Sequence, residues 1–171
     1  SISNNLVATK NFKLIAELIP KNSKILILGG GSKGQGMECI YDNKSFTIVN
    51  SDVYFNDSLH LISDAHDIPF IDDTFDLVVI QAVLEHVIDP VRCVEEIYRV
   101  LKKDSLVYAE VPFMQQVHMR EYDFTRFTYL GLRRLFRNFH DIGSGVCCGP
   151  GMSLAWSYSY FLGCFSENKI V

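Results

Sequence analysis

A glycine-rich segment, KILILGGGSKGQGME, runs from Lys24 to Glu38 directly after a short apolar stretch. The order Gly29-Gly30-Gly31-Ser32-Lys33-Gly34 satisfies the G-x-G-x-x-G spacing, and glycines there let a ligand approach the backbone without obstruction by side chains. A triphosphate loop needs a lysine directly after its last glycine, whereas here Lys33 precedes Gly34. The segment therefore predicts either a loop that holds a nucleoside-containing cofactor or a tight turn without a ligand.

An acidic residue, Asp52, ends the next apolar run, SFTIVNSD. A carboxylate at the end of the second strand of a βαβ unit can accept two hydrogen bonds from the neighbouring hydroxyls of a ribose. The sequence therefore predicts a ribose-bearing cofactor. NAD and S-adenosylmethionine both satisfy these two features.

Strands must alternate with helices to place this loop and this carboxylate together. Apolar periodicity predicts helices over residues 4–19 and from Pro90 onward, with Asp89 as the N-cap of the second. Apolar runs without alternation predict buried strands at 24–28, 45–52, 75–80 and 105–111. This order predicts a doubly wound α/β fold with a mostly parallel, Rossmann-like sheet and helices on both faces, in a single domain over residues 1–171.

The character of the chain changes after Pro112. Residues 113–136 are rich in aromatic, histidine and charged side chains, which predicts a functional insertion that ends in a helix. Residues 140–148 predict one further strand, and Met152 to Phe165 predict a helix that is apolar nearly all round.

Composition excludes several classes of protein. The net charge of -4 argues against a nucleic-acid binder held by phosphate contacts. The five cysteines show neither C-x-x-C spacing nor a zinc pattern, so we expect no metal and a reducing, cytoplasmic environment. The segment SISNNLVATKNF lacks the apolar core of a signal peptide, and no run is long enough to span a membrane.

The stretch SDAHDIPFIDDTFDLVVIQAVLEHVIDP separates the cofactor alternatives. It matches a D-A-x-x-[LI]-P-F-x-x-x-x-F-D turn that is followed by a strand and by L-E-H-[VL]. With this pattern the chain resembles class I S-adenosylmethionine-dependent methyltransferases, in particular the methyltransferase type 11 group, between Lys24 and Phe136. The matching residues are Asp64-Ala65, Ile68-Pro69-Phe70, Phe75-Asp76 and Leu84-Glu85-His86.

The resemblance implies a cofactor-binding role for eight residues. The glycine loop would wrap the methionine and ribose part, Asp52 would bind the ribose hydroxyls and Val53 would lie beside the adenine. Asp64 would accept a hydrogen bond from the adenine amino group, the Ala65 amide would meet a ring nitrogen, and Gln81 would lie near the methionine end. The loop residues are Gly29, Gly30 and Gly31.

One position departs from the family pattern. The first strand usually carries an acidic residue two positions before the first glycine of the loop, and here that position is Ile27. Another carboxylate is expected to substitute, and the sequence offers Glu38, Glu85 and Glu110. The other reading is that the cofactor binds weakly.

The insertion carries the residues expected to act on the acceptor. HMREYDFTRFTYLGLRRLF is similar to a motif of methyltransferases associated with polysaccharide biosynthesis. A general base speeds methyl transfer to a hydroxyl, and His118, Asp123 and, less strongly, His86 are candidates. Arg126 is suited to hold a phosphate or carboxylate of the acceptor, or it pairs with Asp123.

The sequence thus favours a methyltransferase that uses S-adenosylmethionine, releases S-adenosylhomocysteine and O-methylates a small-molecule or glycan-type acceptor. Two alternatives stay open, namely a degenerate methyltransferase-like binding or scaffold domain and an NAD-dependent oxidoreductase. The resemblance implies a final antiparallel pair of strands, so a shortened C-terminal part is expected. The apolar C-terminal helix is expected to pack where the family has its last strand, to form a dimer interface or to touch a lipid-linked acceptor.

Overall fold

A five-stranded, all-parallel sheet forms the centre of the computed structural model, which describes residues 5–165. The strands lie in the order β3-β2-β1-β4-β5, and every neighbouring pair runs parallel. This confirms the predicted doubly wound α/β architecture. The strands are β1 (Lys24–Leu28), β2 (Thr47–Asp52), β3 (Leu61–Ile62), β4 (Phe75–Gln81) and β5 (Leu101–Glu110).

Five α-helices accompany the sheet among the described residues. They are α1 (Leu6–Leu18), α2 (Glu38–Tyr41), α3 (Pro90–Val100), α4 (Tyr129–Leu135) and α5 (Pro150–Gly163). The Asp89 side chain accepts a hydrogen bond from the Arg92 amide at 3.1 Å and caps α3, as the sequence predicts. The side chain of Asn5 caps α1 in the same way through Ala8 at 2.9 Å.

The core divides into two layers because successive residues of a strand point to opposite faces of the sheet. Leu26 and Leu28 of β1 pack on one face together with residues of α3. Ile25 and Ile27 pack on the other face together with α1 and α2. Ile27, which stands where the family carries an acidic residue, is therefore a core side chain with 3% exposure.

The strand predicted over residues 140–148 is wrong, because this segment is irregular and mostly exposed. The carboxylate of Asp141 accepts hydrogen bonds from the Gly143 amide at 2.9 Å and from the Ser144 hydroxyl at 3.0 Å. Such local bonds favour a turn over a strand. Nothing lies within 4 Å of a side chain placed at Gly143 or Gly145, so neighbouring elements do not hold the segment extended.

Helix α5 forms where the sequence predicts it, but it contributes no buried residue. Several of its apolar side chains are exposed, namely Leu154, Tyr158, Phe161 and Leu162. It therefore does not cover the sheet in the described part of the chain. No helix among residues 5–165 combines the length and the apolar character that a membrane crossing needs.

Candidate active site

The carboxyl ends of β1, β2 and β4 meet at one edge of the sheet, and the glycine loop follows β1 at that edge. Gly29 has a φ of +74°, which is a left-handed conformation that side chains rarely adopt. A Cβ atom there would lie 2.2 Å from Cγ2 of Val83, in the segment after β4. Glycine is thus required for the close approach of the two loops.

The side chain of Asp52, at the end of β2, is hydrogen-bonded to this loop. The Gly31 amide donates to its Oδ2 atom at 3.1 Å, and the Tyr54 amide donates to Oδ1 at 3.2 Å. An ionised carboxylate has about four acceptor positions, so each oxygen can still accept a bond from a ligand. The backbone thereby fixes a carboxylate at the edge of the sheet, where the sequence places a ribose.

Gln81, at the end of β4, contacts the glycine loop at Gly34 and Gln35. Its Nε2 donates to Oε2 of Glu110 at 2.9 Å and to the Gln35 carbonyl at 3.2 Å. Its Oε1 is buried without a hydrogen-bond partner within the described chain. A Cβ on Gly34 would lie 2.1 Å from that oxygen. A buried acceptor beside a glycine cradle is suited to receive a donor from a ligand.

Glu110 ends β5, next to Gln81 of β4 in the sheet. Its Oε1 accepts from Asn5 Nδ2 at 2.7 Å, and its Oε2 accepts from the Tyr108 hydroxyl at 2.9 Å as well as from Gln81. Of the three predicted substitutes, Glu110 is thus the one joined to Gln81. The N-cap residue of α1 and the ends of β4 and β5 thereby share one hydrogen-bond network.

The residues expected around the adenine lie after β2 and β3, which are neighbours in the sheet. Asp64 is exposed, and its Oδ1 accepts from the His66 amide at 2.9 Å and lies 2.5 Å from His66 Nδ1. The Ala65 methyl group packs in the core, whereas Val53 is exposed. Asp64 therefore also caps its own turn.

The turn around Pro69 is held in place by an ion pair between two residues of α3. Glu96 accepts from the Ile68 amide at 2.9 Å and from Arg99 at 2.7 Å. Arg99 in turn donates to the carbonyls of Ile68 at 2.8 Å and Phe70 at 2.7 Å. The I-P-F part of the family pattern is thus a structural support for the segment that carries Asp64.

Asp123 and Arg126 pair with each other in the insertion. Arg126 donates to both oxygens of Asp123, to Oδ2 at 2.7 Å, and Oδ2 also accepts from the His118 amide at 2.7 Å. The Asp123 side chain is 1% exposed, and the Arg126 hydrogen bonds hold its pKa well below the usual range. An ionised, fully engaged carboxylate is a poor proton acceptor, so Asp123 is a positioning residue for its neighbours.

The His118 ring contacts the Asp123–Arg126 pair. Its Nδ1 lies 3.2 Å from the Gln116 carbonyl, 3.5 Å from Asp123 Oδ2 and 3.4 Å from Arg126 Nη2. The two hydrogens of Nη2 already bond Asp123 Oδ2 and the Gln116 carbonyl. The environment therefore favours a proton on Nδ1 and leaves the lone pair on Nε2.

A group that the sequence did not single out for catalysis lies beside His118. Glu85 is fully buried, neither carboxylate oxygen has a hydrogen-bond partner within the described residues, and burial raises its pKa to about 7. The rings of His86 and His118 stand edge to face with centroids 4.7 Å apart, and His86 Nε2 lies 3.6 Å from Glu85 Oε1. We call these three residues the Glu85–His86–His118 cluster.

The insertion also approaches the predicted adenosine side of the cleft. The rings of Tyr54, two residues after Asp52, and Tyr122 stand edge to face with centroids 6.4 Å apart. The His86 Nδ1 atom lies 2.7 Å from the Tyr122 carbonyl. Residues 118–126 therefore join the segment after β2 to the segment after β4.

Comparison with known proteins assigns the fold. A family model described as a methyltransferase domain matches residues 39–109. This match agrees with the predicted resemblance to class I S-adenosylmethionine-dependent methyltransferases. S-adenosylmethionine is the cofactor of this class. No curated protein sequence matches the chain significantly.

Several solved structures share the architecture of this chain. The complex of the Haloferax volcanii Trm112 methyltransferase activator with a methyltransferase matches at 24% identity, 81% of this chain, 76% of that chain and a TM-score of 0.57. A Methanosarcina mazei SAM-dependent methyltransferase matches at 21% identity, covering 73% and 82% of the two chains, with a TM-score of 0.56. At these identities the likeness shows the fold alone.

A third structure shows that the fold does not fix the reaction. The protein named [4+2]-cyclase SpnF matches at 17% identity and a TM-score of 0.59, covering 76% of this chain and 55% of its own. The chain thus spans about half the length of that protein. The residues around the cleft, rather than the fold, therefore determine the reaction.

Proposed function

We propose that the protein transfers a methyl group from S-adenosylmethionine to a hydroxyl group of a small-molecule or glycan-type acceptor and releases S-adenosylhomocysteine. The observation that carries this proposal is the carboxylate of Asp52, which the Gly31 and Tyr54 amides fix at the mouth of the glycine loop. When bound, S-adenosylmethionine supplies a methyl group on a positively charged sulfur atom.

The residues around the cleft fit this cofactor. Asp52 would hold the ribose hydroxyls beside the glycine loop of Gly29, Gly30 and Gly31. The unpartnered Oε1 of Gln81, with Glu110 behind it, would receive the methionine ammonium group. This assignment places a carboxylate near the ammonium even though Ile27 is apolar.

The adenine side of the cleft is built by the segments after β2 and β3. Val53 would lie beside the adenine, Asp64 would accept from its amino group and the Ala65 amide would meet a ring nitrogen. Asp64 keeps acceptor capacity for this role because the His66 bonds engage its Oδ1 atom.

The insertion would position the acceptor. A hydroxyl must lose its proton as its oxygen attacks, and the Nε2 lone pair of His118 is suited to accept it. Asp123 and Arg126 fix the ring and the tautomer of His118. The positively charged edge of Arg126, 21% exposed, is the part of the pair that could attract an acidic acceptor.

The glycan assignment is supported by the H-x-x-x-x-D-[FY]-x-R motif in residues 118–126, and through it a role in polysaccharide biosynthesis. The exposed apolar side chains of α5 would serve either a lipid-linked acceptor at a membrane surface or a second copy of the chain. The five cysteines are free thiols, which supports a cytoplasmic location.

Transfer of a labelled methyl group tests the proposal. The protein is incubated with S-adenosylmethionine labelled in the methyl group and with a panel of sugars and sugar phosphates, and label in the acceptor is measured. Label on an oxygen supports the proposal. Tight binding of the cofactor without transfer to any acceptor supports the scaffold alternative instead, and binding of NAD in its place supports the oxidoreductase.

A further inference from the structure

The Glu85–His86–His118 cluster has more hydrogen-bond acceptors than donors. The Tyr122 carbonyl can only accept a hydrogen bond, so His86 must carry a proton on Nδ1, which lies 2.7 Å away. The lone pair of the neutral His86 ring is then on Nε2, and it faces Glu85 Oε1 at 3.6 Å. Two acceptors that face each other need a proton or a metal ion between them.

His118 presents the same arrangement. Its Nδ1 proton is directed to the Gln116 carbonyl at 3.2 Å, which leaves the lone pair on Nε2. Histidines that bind metals nearly always donate their second ring N–H to a carbonyl or a carboxylate, which fixes the tautomer and the ring. Both histidines of the cluster have such a partner. Asp123 and Arg126 also contact His118 Nδ1 and help to fix its ring.

Glu85 supplies the independent observation that a ligand belongs here. Its side chain has 0% exposure, and both carboxylate oxygens lack partners within the described chain. A buried carboxylate without hydrogen bonds is costly, so such a group either is neutralised by a proton or is paired with a charge or a metal ion. The amides of Phe124 and Thr125 donate to the Glu85 carbonyl at 2.8 and 3.2 Å, so the insertion holds this residue in place.

The distances suit a single ion. One ligand atom from each of Glu85, His86 and His118 lies within 4.8 Å of the other two. Small side-chain movements would bring them to the roughly 2.0–2.2 Å bonds of zinc sites. Both histidine side chains are partly exposed, 17% and 24%, so the ion could enter from the cleft and keep a free position.

We propose that the Glu85–His86–His118 cluster is a binding site for a divalent transition-metal ion of the zinc type, held by two imidazoles and one carboxylate. Imidazole ligands favour zinc and its neighbours over magnesium or calcium, which prefer oxygen ligands. The expectation from the cysteine pattern that the chain holds no metal does not bear on this site, because no cysteine contributes to it.

The metal site goes beyond the proposed methyl transfer and is tested without it. The ion and a proton compete for the same lone pairs, so the ion would occupy the position where a general base otherwise acts. The protein is treated with a chelator and dialysed, and zinc binding is measured by calorimetry. Cobalt(II), which absorbs visible light when nitrogen ligands bind it, serves as the spectroscopic probe.

One equivalent of zinc per chain and a new cobalt absorption band are expected. Glu85→Gln and His118→Ala should each weaken zinc binding at least ~100-fold. Substitution of residues that only hydrogen-bond to metal ligands already lowers metal affinity about 10–100-fold. His140→Ala, at an exposed histidine outside the cluster, is the matched control and should bind as the unmodified protein does.

Zinc binding that is absent, or that Glu85→Gln and His118→Ala leave unchanged, would overturn the proposal. Circular dichroism and thermal melting establish that each variant is folded. If Glu85→Gln does not fold, the partly exposed His118 position decides the question. Neither result depends on methyl transfer, so the metal site and the proposed function can fail separately.

Discussion

The Gly31 amide donates a hydrogen bond to Asp52 Oδ2 at 3.1 Å, which joins the loop after β1 to the end of β2. A Cβ atom on Gly31 would lie 2.8 Å from the same oxygen. The contact orients the carboxylate that is proposed to hold the ribose. A side chain at the third glycine of the loop would therefore displace this carboxylate.

Gly31→Ala should weaken cofactor binding without unfolding the protein. The clash falls on the mobile end of the Asp52 side chain, so the carboxylate can turn away at little cost to the fold. We expect S-adenosylhomocysteine affinity to fall at least ~10-fold, or about 1.4 kcal/mol, in a calorimetric titration. Gly145→Ala, where nothing lies within 4 Å of the added atom, is the control. Equal affinities for both variants would contradict the role of this contact.

Gly36→Ala should instead destabilise the fold. Gly36 has a φ of +83°, and a Cβ atom there would lie 2.5 Å from the backbone nitrogen of Thr9 in α1. Backbone atoms cannot turn aside, so both strain and overpacking apply. We expect a loss of at least about 2 kcal/mol in the free energy of unfolding, measured by urea denaturation. A change below half of that would show that α1 shifts freely on the loop.

Arg126→Ala should leave the Asp123 carboxylate buried and short of donors. Its side chain is 1% exposed, and the loss of a donor to such a group costs roughly 1–3 kcal/mol. Methyl transfer should fall as well, mainly through kcat, because His118 loses its support. Arg134→Ala, at an exposed position of α4, should change stability by less than about 0.5 kcal/mol. Stability equal to that control would mean that the pair contributes nothing.

Glu96→Gln should reduce stability near neutral pH and make the remaining stability less sensitive to acid. The hydrogen bonds from Arg99 lower the pKa of Glu96 in the folded protein. The stabilisation is therefore complete above the unfolded pKa of about 4.3 and is lost as the pH falls through the folded value. Because both side chains are partly exposed, we expect a difference of about 1 kcal/mol at pH 7.

Urea denaturation at pH 7 and at acidic pH checks this expectation. The difference between Glu96→Gln and the unmodified protein should shrink as the pH is lowered. Glu95→Gln, at the exposed neighbouring position, is the matched control and should follow the unmodified protein. A difference that grows with acidity would contradict the sign derived from the lowered pKa.

The strands and the capped helices of the fold could be predicted because local features determine them. The apolar runs of β1 and β4 and the Asp89-Pro90 start of α3 carry their own signals. The short strand β3 could not be predicted, since its two residues are defined by pairing with Ser51 and Asp52 of β2. Residues 140–148 include β-forming side chains, which led to the wrong strand prediction. The turn that Asp141 makes with Gly143 prevails over them.

The candidate site could be predicted only in part. Asp52, Gln81 and the glycine loop follow strand ends, and parallel strands bring such positions to one edge. The burial of Glu85 could not be predicted, because it depends on the folding of the distant insertion, whose Phe124 and Thr125 amides bind the Glu85 carbonyl. The sequence did contain a signal, since Glu85 stands beside His86 in the L-E-H pattern. The link from Glu110 to Gln81 likewise depends on the order of β4 and β5 in the sheet.

Calorimetric titration of S-adenosylhomocysteine into the protein and into Asp52→Ala tests the central claim most directly. We expect one binding site per chain, no binding of NAD, and an affinity roughly 10–100-fold weaker in the variant, because a charged hydrogen-bond acceptor is lost. Equal binding of S-adenosylhomocysteine by the protein and by a folded Asp52→Ala variant, or no binding by either, would contradict the account of this cleft.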